Sequence, residues 1–186
     1  MPQESSGGRH VLAPHPSSPM GAVTVVAVTV SRPAGERLRL AWKLKGDLST
    51  LRLPEPRPPV RADGLWQHTC FEAFLGHDGA PDYWEYNLSP SGAWAAYHFT
   101  RYREGMAPLL RGAAPAIACD ADAAELRLDV SIDLGWLEKT SAGVGLRLGL
   151  SAVVEDKARV LSYWALRHPA EKPDFHHPDG RVVALD

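Results

Sequence analysis

Between Leu65 and Gly105 the chain carries Trp66, Trp84 and Trp94 with Tyr83, Tyr86, Tyr97 and Tyr102. Within Tyr83–Ser89 the two parities of an extended strand separate Tyr83, Glu85, Asn87 and Ser89 from Trp84, Tyr86 and Leu88. One face then presents a polar row with its own aromatic ring, and the other presents large apolar side chains. A sugar site needs this combination, because carboxylates and amides bond to hydroxyls while a flat ring covers the C–H face. The plainer reading is a solvated outer face with Trp84 and Tyr86 as core. In the preceding run Glu72 shares parity with His68 and Cys70, opposite Phe71, Ala73 and Leu75. If the two strands pair, Glu72 and Glu85 approach one another. Paired carboxyls suit the acid and nucleophile of a glycoside hydrolase, and equally the polar contacts of a bound polyol.

A second constellation is YWALRHPAEKPDFHHPD, Tyr163–Asp179, which gathers Trp164, His168, Asp174, His176 and His177. Three imidazoles and a carboxylate are donors for zinc or a similar metal, but their spacing matches no standard metal motif. His176 and His177 are adjacent, so in extended chain they point opposite ways. The expectation is no metal site, with these four as weak candidates in a loop held by prolines. The chain has no G-x-S-x-G elbow, P-loop, H-E-x-x-H or C-x-x-C.

The elements that must position these groups are strands. Ala22–Ser31 is dense in Val and Thr. Glu36–Lys45 and Glu125–Asp133 alternate apolar with polar residues, the period of a half-buried strand. SRPAGE joins the first two as a hairpin. Further strand candidates are Leu65–Leu75, Tyr83–Ser89, Ala93–Arg101, Leu146–Ser151, Val160–Leu166 and Arg181–Leu185. LPEPRPP, Leu53–Pro59, is an extended loop, since proline lacks the ladder donor. Asp133–Lys139 reads as one helical turn capped by Asp133, and Arg103–Arg111 as a short helix or ordered loop. The Ser-, Gly- and Pro-rich residues 1–21 read as a flexible tail before a single domain, residues 22–186. No helix of crossover length joins successive strands, so the fold class is all-β, a β-sandwich of jelly-roll type.

With 20 basic and 22 acidic side chains in 186 residues, the chain lacks the basic surplus of a nucleic-acid binder. It has no apolar run of membrane-spanning length. Cys70 and Cys119 read as two buried thiols. The absence of a signal-like N-terminus and the low cysteine count point to a cytoplasmic setting.

The segments WQHTCFEAFLG, YWEYNLSPSGAWAAYHFTRYREGM and YWALRHPAEKPDFHHPD resemble a bacterial group of DOMON-like proteins, similar to family 9 carbohydrate-binding modules. The resemblance covers about Trp66–Met106 and Tyr163–Pro178. It implies a non-enzymatic module for a saccharide-like small molecule, with no cofactor. Trp94 and Trp164, with Trp66 third, are the rings it implies. Glu72, Glu85, Asn87 and Arg103 are the polar partners, and Tyr83 and His168 complete the candidate ligand-binding set. Other members of that superfamily bind haem b, for which Met106 and His168 form the alternative axial pair. The missing leader departs from secreted sugar modules and leaves an intracellular metabolite or an interaction role open; the sequence names no protein partner.

Overall fold

The computed structural model describes residues 8–33, 36–110, 112, 114–138 and 144–185. These residues form β1 (Gly8–Pro14), β2 (Val23–Ser31), β3 (Arg37–Gly46), β4 (Val60–Arg61), β5 (Cys70–His77), β6 (Tyr83–Leu88) and β7 (Ala93–Phe99). There follow β8 (Ala107–Pro108), β9 (Ala116–Ala121), β10 (Glu125–Asp133), the single turn α1 (Gly135–Glu138), β11 (Leu146–Glu155), β12 (Leu161–Ala165) and β13 (Val183–Leu185).

The strands make one continuous curled sheet in the order β4-β7-β6-β5-β11-β12-β1-β2-β3-β10-β9, with β13 on β11 and β8 on β7. Only β4–β7 is parallel among the described pairs, so the sheet is mixed. The fold class is therefore mostly strand, as expected. Alternation decides which side of each strand is buried. In β3, Leu38, Leu40, Trp42 and Leu44 point inward; in β10, Leu126, Leu128, Val130 and Ile132 do. The sheet curls so that these residues share one core with Phe71, Ala73 and Leu75 of β5 and Trp84, Tyr86 and Leu88 of β6. Trp42 and Phe71 meet with ring centroids 5.0 Å apart.

β1 lies inside the segment read as a flexible tail. Its residues up to Leu12 pair with β2, and Ala13 and Pro14 pair with β12. Only Leu12 of this strand is buried, so composition gave no sign of it. Residues 1–7 lie outside the described residues, as do Ala34 and Gly35 of the expected hairpin and Lys139 of the expected helical turn. The hairpin reading is consistent with antiparallel β2 and β3, and Asp133 does take the Gly135 N–H at the start of α1.

Two further expectations are corrected, and a third is resolved between its alternatives. Leu65–Gln67 is a turn of 3-10 helix opened by Gly64 in the left-handed region (φ 73°), so strand begins only at Cys70. Arg103–Arg111, where its residues are described, takes the ordered-loop alternative, with the two-residue strand β8 in it. Cys119 is exposed on β9 at the end of the sheet, whereas Cys70 is buried; both are free thiols.

Candidate functional site

β5 and β6 are buried at nearly every position, on both faces. Their second face carries the polar residues. Antiparallel register lines Ser151, Glu72, Asn87 and Ala95 across β11, β5, β6 and β7. The next row is Gly149, Phe74, Glu85 and Tyr97, and the next Arg147, Gly76, Tyr83 and Phe99. The condition that β5 pairs with β6 is thus met, and the pairing brings Glu72, Tyr83, Glu85 and Asn87 onto one surface.

The floor of that surface is hydrogen-bonded within itself. Asn87 Nδ2 donates to Glu85 Oε1 at 2.9 Å, and Ser151 Oγ donates to Glu72 Oε2 at 3.1 Å. Glu72 is 3% exposed and Glu85 5%. Loss of water disfavours the charged form of both. Burial pushes the Glu85 carboxyl up to about 7, against the pull of the Asn87 bond and the Arg103 charge. Burial first, and then the Glu85 charge, hold Glu72 well above the usual carboxylate range. Burial likewise raises the Cys70 thiol beside them.

An aromatic layer covers this floor. Tyr83 and Phe99 stack in parallel with centroids 4.8 Å apart, and the His176 ring stands edge-on to Phe99 at 5.0 Å and to Phe74 at 5.2 Å. Leu65 and Phe175 pack against the same cluster. The Tyr83 hydroxyl accepts the Arg103 N–H at 3.1 Å and lies 2.8 Å from His176 Nδ1. The other ring nitrogen of His176, Nε2, stands 3.9 Å from Glu85 Oε2. Burial, then the Arg103 charge, pull His176 down to about 4, so it is neutral at pH 7. Arg103 is in the left-handed region (φ 56°), and its guanidinium binds Asp174 at 2.8 Å. Tyr102 also donates to Asp174. These contacts clamp the segment around Asp174–His176 over the face.

The rim is open. Trp66, beside Leu65 in the 3-10 turn, is 52% exposed, and Tyr102 is exposed too. Two residues on from Trp66, His68 Nδ1 lies 2.8 Å from Glu155 Oε2, and Arg52 donates to Glu155 Oε1 at 2.9 Å. Those two bonds hold Glu155 below its usual range although burial works the other way.

The other expected residues lie elsewhere. Trp94 and Trp164 sit at core parity, on the opposite face of their strands from the polar row. Trp94 is packed under the Arg61 guanidinium, 5.3 Å from its ring centre. Trp164 is 7% exposed; its Nε1 donates to Ser162, and one edge lines a hollow of about 680 Å³ with Met20, Val23 and Val160. The two indoles therefore do not flank the row. His168 contacts the Ala13 carbonyl through Nε2 at 2.8 Å and the His15 ring at 4.9 Å, and burial lowers its pKa. Met106 is exposed next to β8, with β7, β6, β5, β11 and β12 between it and His168 in the strand order. His177 Nδ1 accepts the Asp179 N–H, while Asp174 and His176 are engaged as described. Among the described residues no group of three His, Cys, Asp or Glu side chains is placed to share a metal ion. Sequence reasoning missed Ser151, Phe175 and the Arg52–His68–Glu155 group, and placed His176 only among metal donors. For Ser151 the alternation of Leu146, Leu148 and Leu150 was the available signal.

No protein-family model matches the sequence, and no curated protein sequence matches it. Solved structures do match the fold. A "putative carbohydrate-binding protein" from Bacteroides uniformis superposes with a TM-score of 0.65 at 15% identity, over 93% of this chain and 83% of that one. A family 9 carbohydrate-binding module from Caldicellulosiruptor kristjanssonii, solved with cellotriose, matches with a TM-score of 0.52 at 12% identity, over 86% and 72%. The chain thus has a fold similar to family 9 carbohydrate-binding modules.

Proposed function

We propose that this chain is a non-catalytic module of the DOMON-like class, a two-layered β-sandwich that binds a saccharide at the rim of the face formed by β5, β6 and β7. The observation that carries the reading is the Glu72–Asn87–Glu85 row beneath an aromatic layer, with Trp66 exposed at its margin, in a fold similar to a module solved with cellotriose. Trp66 offers the C–H face of a sugar its exposed indole, and Arg103 and His68 offer donors to hydroxyls. The buried row supports the rim from below. Burial of both carboxyls favours binding over hydrolysis, since neither Glu72 nor Glu85 is open to water or to a glycosidic oxygen.

Calorimetry with glucose, cellobiose and cellotriose, followed by a glycan panel, tests the reading. Saturable binding weaker than about 1 μM is expected, because one stacked ring contributes only about 0.5–1.5 kcal/mol beyond its buried area. Trp66→Ala should weaken it about fivefold or more without altering the melting temperature. Absence of binding to every glycan at millimolar concentration rejects the proposal.

A further inference from the structure

At the end of the same face, beyond Tyr83, lies a hollow of about 500 Å³ that the saccharide reading does not use. Its lining includes His77, Asp78, Arg147, Arg167, Asp179 and Arg181. Three guanidiniums thus face two carboxylates. One carboxylate is already engaged: Asp78 Oδ1 accepts from Arg147 Nε at 2.9 Å. Arg167 and Arg181 have no ion pair among the described residues, although Asp179 shares the hollow.

Arg181 is seated deliberately by the sequence. Its stem and guanidinium lie across Gly76 of β5 and Gly149 of β11, and its charge stands 5.1 Å from the centre of the Tyr83 ring. A Cβ at Gly76 would come within 2.8 Å of Arg181 Nε, and one at Gly149 within 3.1 Å of the Gly180 carbonyl oxygen and 3.3 Å of Arg181 Cγ. Two strand positions without side chains thus let the Gly180–Arg181 backbone and the Arg181 side chain lie close against the sheet. Yet Arg181 Nη1 is buried with no hydrogen-bond partner, and so are both ring nitrogens of His77. A part-buried guanidinium with an unpartnered N–H has bonding capacity to spare, and its fork matches the oxygens of a phosphate two at a time.

We propose that this hollow is an oxyanion site that takes a phosphate group, held by Arg181 and Arg167 with Arg147 at its edge. The site stands independently of saccharide binding at the rim. Its source is either free phosphate or a phosphorylated sugar, since the hollow adjoins the saccharide face through Tyr83.

The test is calorimetry and thermal shift on the full chain with inorganic phosphate and with glucose 6-phosphate, against sodium chloride at equal ionic strength. Saturable binding of phosphate in the millimolar range or tighter is expected, with a rise in melting temperature that chloride does not give. Arg181→Gln should weaken binding tenfold or more. Because Arg181 also packs on the sheet, Arg167→Gln is the second variant; Arg167 is exposed, so its melting temperature in chloride should be unchanged while affinity falls at least threefold. Glucose 6-phosphate binding no tighter than phosphate assigns the hollow to free phosphate; tighter binding assigns it to a sugar phosphate. No saturation by either probe up to 20-fold above the millimolar range, or affinity unchanged in Arg167→Gln and in folded Arg181→Gln, overturns the proposal. Neutral-sugar binding lost in Trp66→Ala but kept in Arg167→Gln separates failure here from failure at the rim.

Discussion

β3 with β10, and β5 with β6, feed one core from opposite sides, but their other faces have opposite fates. In β3 and β10 the outward residues Arg37, Arg39, Ala41, Arg127 and Asp129 are exposed. In β5 and β6 the outward residues Glu72, Phe74, Glu85 and Asn87 are as buried as the core itself. The difference comes from what lies on top. The 3-10 turn and the Asp174–Arg181 segment cover the second pair, whereas the solvent covers the first. A polar residue opposite a core residue thus signals water in one half and a closed polar layer in the other.

Substitutions at the shared core should not distinguish the halves. Trp42→Ala and Phe71→Ala should each destabilise by about 3–5 kcal/mol in urea titration, since both rings are wholly buried against one another. A loss below about 1 kcal/mol in either would mean that the halves do not share a core.

The outward positions should then separate them. Glu85 is held protonated by burial, with its carboxyl raised to about 7, so its favourable contribution is complete below about pH 4.5, the unfolded value, and drains away as pH rises toward 7. Glu85→Gln keeps the neutral shape at all pH. It should exceed the parent protein in stability by about 2–3 kcal/mol at pH 8 and match it near pH 4.5. His176, pulled down to about 4, gives the opposite slope between pH 4 and 6.5, and His176→Phe should remove that slope. Equal stability of Glu85→Gln and parent at pH 8 would show that the face is wet.

Smaller effects follow at the cover. Tyr83→Phe leaves the Arg103 N–H and His176 Nδ1 without their shared partner, and about 1–2 kcal/mol should be lost. On the exposed half, Thr29→Ala and Arg39→Ala should stay within about 0.5 kcal/mol of the parent.

The same contrast explains what could be read from the sequence. β10 was legible to the residue, because Leu126, Leu128, Val130 and Ile132 alternate against polar neighbours and water rewards that alternation. β6 was legible as a strand, and parity correctly gathered Tyr83, Glu85 and Asn87. Parity does not say which face is roofed, so an aromatic ring could not be assigned to roof or core from its strand alone. Trp94 and Trp164 were candidates by their place in the resembling segments, and their register puts both on the core side. The cover comes from Phe175, His176 and Arg181, about a hundred residues away in the chain and without periodicity. β1 was missed because one buried leucine in a seven-residue strand that also holds a glycine, a histidine and a proline leaves no pattern.

That strand has a role out of proportion to its burial. Among the described residues the main path of the sheet ends at β4 and β9, with β8 and β13 paired on one side only. β1 is the only link between β12 and β2 in the described order, and it changes partner between Leu12 and Ala13. Taking it away would split the described ribbon into two and bare the edges of β12 and β2 that it covers. Each new border would display a row of unpaired amides, an invitation to self-association. Seven residues thus close the seam between the two halves of the ribbon.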